Sequence, residues 1–254
     1  MGSLLYLYHV VNYIFCHTGL CVVTALSDDT ATIAKQLVPV QENPVLLLRK
    51  ASELLGDRLA VLSSFGAESA LLLAMVAEAD PAMKVLFLNT GKHFPQTLEY
   101  RQNLADFLHL SNVQDVAPQP QQVENRDPTG ELWAFDPDAC CALRKVEPLQ
   151  VASLPYEALV TGRKRGQAVT RSTLEIVELR EDGQLRLNPL AFWSAEDITQ
   201  EMQRRGLPPH PLVAEGYLSI GCAPCTQPVD GAQDARAGRW AGLNKTECGI
   251  HIKH

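Results

Sequence analysis

Residues 59–79 read Leu59-Ala60-Val61-Leu62, then Ser63-Ser64-Phe65-Gly66-Ala67-Glu68, then Ser69-Ala70-Leu71-Leu72-Leu73-Ala74-Met75-Val76-Ala77-Glu78-Ala79. The first four residues suit a buried strand, and the last eleven suit an apolar helix that Pro81 closes. Ser and Gly between them let the backbone turn tightly, and the helix's opening amides are expected to face an anion. The loop lacks the lysine of a Walker motif. Alone it is also compatible with a plain turn.

The same alternation continues on both sides. Apolar positions from Pro44 to Leu55 recur at helical spacing, Val85 to Leu88 is a second buried run, and a helix follows from about Pro95 to Leu108. Val113 to Val116 and Ala158 to Thr161 read as further strands. Leu174 to Leu179 and Leu185 to Leu187 read as two more around the Asp182-Gly183 turn. Strands alternating with helices predict an α/β fold, a mostly parallel sheet with helices on both faces and ligands beyond the strands' carboxyl ends. After about Gly221 the periodicity fades into a carboxyl-terminal tail. The expected organisation is an unassigned extension over 1–40, an α/β domain over 41–225 and a tail over 226–254.

The 254 residues are 46% hydrophobic and 20% charged, enough for one sizeable core. Net charge is −7, which argues against a general basic surface for nucleic acid. Any bound anion must meet a local cation cluster. Arg163, Lys164, Arg165 and Arg171 form one directly after a strand. Its plain reading is a solvated charged face, but it shares a sheet edge with the Ser63–Ser69 loop. Thr90, in Asn89-Thr90-Gly91-Lys92-His93, follows another strand and is a weaker candidate.

From Met1 to Ser27 there is no Asp, Glu, Lys or Arg. His9, Asn12, His17 and Thr18 interrupt the apolar run, and no basic residue precedes it, so neither a membrane span nor a secretory signal is expected. Cys16 and Cys21 receive no role. Seven cysteines without a secreted-domain spacing point to metal or thiol chemistry in a reducing compartment, the cytoplasm. Cys140 and Cys141 are adjacent, and Cys222 and Cys225 form a CxxC. Four thiols in two pairs match tetrahedral zinc or a 4Fe–4S cluster. Adjacent cysteines strain a single ion and favour the cubane, where each thiolate takes its own iron. Cys248 lies outside both pairs, in a Gly-bearing segment, and is either an incidental exposed thiol or a reactive one.

Taken together, SSFGAES (63–69), NTGKHFPQT (89–97), CCALRKVEPL (140–149), TGRKRGQAVTR (161–171), GYLSIGCAPCTQPV (216–229) and RAGRW (236–240) with ECGIH (247–251) resemble the bacterial assimilatory adenylyl-sulfate (APS) reductases, the cluster-bearing branch of the APS/PAPS reductase family. The similarity spans Val45 to His251 and implies an adenine-nucleotide α-hydrolase-like fold. It makes Cys140, Cys141, Cys222 and Cys225 ligands of one 4Fe–4S cluster and Cys248 the nucleophile. It matches Lys145 to a lysine linking cluster and substrate, Arg171, Arg236 and Arg239 to phosphosulfate-binding arginines, and Ser63, Ser64, Gly66 and Glu68 to a modified phosphate loop. Asn89, Lys92 and the Ala241–Asn244 stretch depart from the usual pattern.

The implied chemistry is thiolate attack on the sulfur of adenylyl sulfate, expelling AMP and leaving an S-sulfonate on Cys248. Anion would approach anion, so the cations must neutralise the oxygens first. A second thiol then releases sulfite. With four cysteines assigned to the cluster, an external dithiol of the thioredoxin kind is expected, and the segment bearing Cys248 is expected to move. The alternatives are a PAPS reductase, an ATP-dependent adenylating or sulfur-transferring enzyme whose SGGxDS loop Phe65 and Glu68 would break, and a non-enzymatic regulator. A homo-oligomer remains compatible with the sequence.

Overall fold

The computed structural model describes residues 14–16, 19–21, 28–167, 171–230, 234–242, 245 and 247–250. In chain order these form β1 (Ile14–Cys16), β2 (Gly19–Cys21), α1 (Asp28–Leu37), α2 (Pro44–Leu55), β3 (Leu59–Ser63), α3 (Ser69–Ala79), β4 (Lys84–Leu88), α4 (Pro95–Phe107) and β5 (Val113–Val116). There follow α5 (Pro120–Arg126), α6 (Leu132–Phe135), α7 (Pro137–Cys141), a π-helical turn (Ala142–Val146), α8 (Glu147–Ser153), β6 (Ala158–Thr161), β7 (Val177–Leu179), β8 (Leu185–Leu187) and α9 (Ala195–Arg204). Local chemistry sets several boundaries. Asn43 accepts from the Leu46 amide with Pro44 next in line, and Ser194 and Asp197 form a reciprocal capping box.

Among the described residues β1 and β2 pair with each other and not with the main sheet. The main sheet has the order β5-β4-β3-β6-β8-β7, parallel except for the edge strand β7, which runs antiparallel to β8. The two faces divide as a pleat requires. Leu59, Val61, Val85, Phe87, Val160, Leu185 and Leu187 point into a large core shared with α1, α2, α3, α4 and α9. Ala60, Leu62, Leu86, Leu88 and Leu159 point the other way, into a smaller core closed by Leu149 of α8, Tyr156 and Ile250. Helices therefore cover both faces, as the continuous apolar runs predict.

One strand expectation is corrected. Leu174 to Ile176 lie outside β7, because the Leu174 amide closes a turn onto Arg171 O while Leu174 and Ile176 bury their side chains in the large core. The hairpin at Gly183 is as expected, with φ at +79° and the β7–β8 register pairing Leu179 with Leu185. The charge-free N-terminal stretch falls largely outside the described residues. Among the described residues no helix is long and apolar enough to cross a membrane.

A buried histidine fixes the approach to α4. His210 lies fully inside, its Nε2 3.0 Å from Thr97 Oγ1 and its Nδ1 accepting from the Leu212 amide at 3.2 Å. Burial pushes its pKa down to about 4. The unfolded chain therefore takes up a proton near pH 6.5 that the folded one refuses until about pH 4. Urea titrations should show a stability loss reaching about 3 kcal/mol as pH falls through that window, absent from His210→Gln.

Candidate active site

The Ser63–Ser69 loop turns through Phe65, whose φ of +48° is left-handed although it is not glycine. Its ring is completely buried against Phe87, centroids 5.6 Å apart and edge to face, so packing holds the unfavourable backbone. The amides predicted to face an anion are partly engaged. Phe65 N–H donates to Ser63 Oγ at 3.2 Å and Gly66 N–H to Ser69 Oγ at 2.9 Å, because the left-handed turn brings both hydroxyls within reach. Glu68 pairs with Lys164 Nζ at 2.6 Å.

This loop floors a cleft of about 470 Å³ beyond the carboxyl ends of β3, β4 and β6. Ser63, Ser64, Gly66, Glu68, Lys145, Arg163, Arg171, Arg236, Arg239 and Cys248 all reach its walls. Two predicted ligand contacts are absent from that lining. Arg165 stacks on Phe192 at 4.1 Å and pairs with Glu175 at 2.8 Å. Thr90 is buried on the cysteine side, 3.3 Å from Cys222 Sγ.

The cation loop is not a bare positive patch. Arg163 pairs with Glu178 at 2.8 Å, Arg165 with Glu175, Lys164 with Glu68, and Arg171 with Glu247 at 2.9 Å. Sequence spacing hides this, since the partners lie 10 to 96 positions away.

Behind the cleft, Cys140, Cys141, Cys222 and Cys225 line one small cavity, all as free thiols. Asp136 caps α7 by accepting from the Ala139 amide at 2.8 Å, which starts the helix that carries the cysteine pair. The π-turn after it is clamped by Arg144, which donates twice to Asp127 Oδ2 (3.2 and 2.7 Å) and once to Thr90 O at 2.9 Å. The CxxC turn docks on the Asn89–His93 loop through a His93–Cys222 bridge and an Ala223 amide donating to Lys92 O at 2.7 Å. That loop thus positions thiols. The segment that follows Cys225 packs back on this cavity. The Trp240 amide donates to Cys225 O at 3.0 Å, and Trp240 is buried.

Lys145 and Trp240 belong to both cavities and form the wall between them. Burial opposes the Lys145 charge, but the thiol groups of Cys222 and Cys248 outweigh it and raise its pKa. Burial alone would push Cys222 up, yet Lys145 and the Thr90 hydroxyl pull it below the usual thiol value. Burial pushes Cys140 and Cys225 up, and Cys141 to about 11. Arg239 lies over the Trp240 ring at 4.6 Å, its charge disfavoured by burial. Its Nε and the Trp240 indole N–H are buried without hydrogen-bond partners. Asp127, Trp240 and Glu247 had no role in the sequence reading. Glu247 was within reach of it, being a carboxylate adjacent to the candidate nucleophile.

The fold and the cleft define an α/β protein with a thiol and six cations, Lys145, Arg163, Lys164, Arg171, Arg236 and Arg239, at the sheet's carboxyl edge. Residues 58–228 match the phosphoadenosine phosphosulfate reductase domain, and the chain belongs to that family. A protein of Mesorhizobium japonicum named adenosine 5′-phosphosulfate reductase is 51% identical over 207 residues, 82% of this chain and 81% of the relative. One of Gloeobacter violaceus, named phosphoadenosine 5′-phosphosulfate reductase, is 41% identical and covers 82% and 88%. The fold agrees with the Candida auris phosphoadenylyl-sulfate reductase in its phosphate complex, with a TM-score of 0.62 over 78% of this chain and 96% of that one, at 24% identity.

Gly221 makes room for the Arg239 guanidinium at the cleft. A Cβ there would lie 2.2 Å from one guanidinium nitrogen and 2.5 Å from its carbon. Gly221→Ala should therefore expel Arg239, weakening AMP binding about ten- to hundredfold by titration calorimetry while the circular dichroism spectrum is retained.

Proposed function

We propose that this protein reduces adenylyl sulfate to sulfite and AMP in assimilatory sulfate reduction, with Cys248 as nucleophile. The observation that carries this is the single cleft that brings Cys248 together with Lys145, Arg171, Arg236, Arg239 and the Ser63–Ser69 loop. The name of the 51% identical Mesorhizobium japonicum relative supports the unphosphorylated substrate. The 41% relative named for the 3′-phosphorylated one keeps that substrate as a second arm of the test.

Ser63, Ser64 and Gly66 would seat the phosphate, and the cations the phosphosulfate oxygens. Cys248 Sγ attacks sulfur. The sulfur–oxygen bond to phosphate breaks, and its electron pair leaves on AMP, whose new charge the same cations stabilise. A dithiol of the thioredoxin class then attacks Cys248 Sγ, sulfite departs with the electron pair, and the donor's second thiol frees Cys248 while the donor becomes a disulfide. Among the described residues Cys248 is the one thiol on the cleft, which supports an external reductant. The cytoplasm, where dithiols stay reduced, suits this chemistry.

Cys140, Cys141, Cys222 and Cys225 would hold the 4Fe–4S cluster that the family resemblance implies. Among the described residues no three metal-binding side chains meet closely enough for one ion. A four-thiol donor set around one cavity, with an unpartnered indole N–H in its wall, suits a group presenting several irons and acceptor sulfides. When bound, the cluster supplies charge that fixes Lys145 rather than electrons for the net reaction.

Protein purified without oxygen should be brown and release sulfite from adenylyl sulfate only with thioredoxin. Cys248→Ser should stay brown and lose turnover by at least about a thousandfold. Cys140→Ser should lose both iron and activity. Colourless protein with one zinc would overturn the cluster, and sulfite from Cys248→Ser would overturn the nucleophile. Preference for the 3′-phosphorylated substrate would reassign specificity.

A further inference from the structure

Glu247 directly precedes Cys248 and turns its carboxylate into the cleft. Oε1 accepts from Arg171 Nε at 3.0 Å and Oε2 from Arg171 Nη2 at 2.9 Å, a fork-on-fork pair. Arg236 Nη2 lies 3.5 Å from the same Oε2. The Glu247 and Arg171 side chains are only 14% and 11% exposed, so the pair is largely withdrawn from water. This is the arrangement in which a guanidinium also grips a phosphate or a sulfate. An incoming oxyanion and Glu247 cannot both hold the Arg171 fork.

We propose that Glu247 is a positioning residue that stands in for the ligand's oxyanion. It holds the Arg171 fork while the cleft is empty, and yields Arg171 and Arg236 when the ligand's anion arrives. The inference rests on the reading that the cleft takes an adenylate-linked oxyanion. Charge supports an exchange of this kind. One anion replaces another, so neither state leaves the largely buried arginines without compensation.

Flanking contacts let the carboxylate leave without carrying Cys248 away. Lys245 Nζ bonds Asp138 on α7, and its ammonium also lies 5.8 Å from the Trp240 ring centre. Ile250 packs into the small core below the sheet. Neither contact uses the arginines. The backbone of Cys248 is therefore pinned on both sides while the Glu247 side chain swings.

The exchange lowers apparent ligand affinity, because the ligand must evict a resident anion. A carboxylate that merely preorganised Arg171 would raise it, so the sign of the change separates the two roles. The probe is ADP, whose terminal phosphate offers a sulfate-like oxyanion with no sulfur to attack. Glu247→Gln should bind ADP about tenfold more tightly than the parent protein, with Glu247→Asp in between. Unchanged or weaker ADP binding overturns the proposal. If sulfite formation by the parent protein is intact, such a result leaves the reductase reading standing. No ADP binding by either protein, together with no sulfite formation, removes both.

Discussion

Lys145 is the group on which the two halves of the site depend. Its ammonium stands in the wall between the cysteine cavity and the cleft, where burial alone would strip its charge. It stays charged because sulfur groups lie on both sides of it. Cys222 on one side is lowered by the same interaction that raises Lys145, and Cys248 is on the other. A buried cation so placed carries negative charge in one cavity into the electrostatics of the next without any electron moving. The π-turn that bears it is pinned by the buried Arg144–Asp127 pair, so its position follows from the strand-end loop and the cysteine helix together.

The surrounding charge is arranged by subtraction. In a protein of net charge −7 the cations near the cleft are mostly held by acids of the same chain. Glu178 sits on β7, Glu175 on the stretch just before it and Glu68 on the Ser63–Ser69 loop, where they fix guanidinium and ammonium groups at the cost of their field. Glu247 differs, because it belongs to the segment that carries the thiol. The positive potential available to a ligand therefore depends in part on a side chain of the segment that bears Cys248.

Much of the fold was legible because the central strands are continuous apolar runs, and such runs belong to parallel strands covered on both faces. Pro44, Asn43 and Gly183 mark boundaries by rules that act within a few residues. The cysteine pairs and the cation loop stood out by composition. What the sequence hid were effects set by distant contacts. Phe65 takes a left-handed backbone because Phe87 packs on it, and Arg163, Lys164 and Arg165 lose their free charge to acids elsewhere in the chain. Leu174 to Ile176 alternate like a strand yet bury their apolar side chains without joining the ladder. The segment around Trp240 shows no periodicity because it docks by single contacts, such as the Trp240 amide on Cys225 O and Gly238 against the Gln227 carbonyl.

The central claim is that the Cys248 sulfur itself takes the oxidised sulfur from the nucleotide. Its most direct test is to mix the protein with adenylyl sulfate in the absence of any dithiol, quench in acid, and weigh the proteolytic peptide that contains Cys248. The account predicts one added SO₃ on that residue, formed in step with AMP and removed when reduced thioredoxin is supplied. AMP release with no mass gain on the peptide would contradict it.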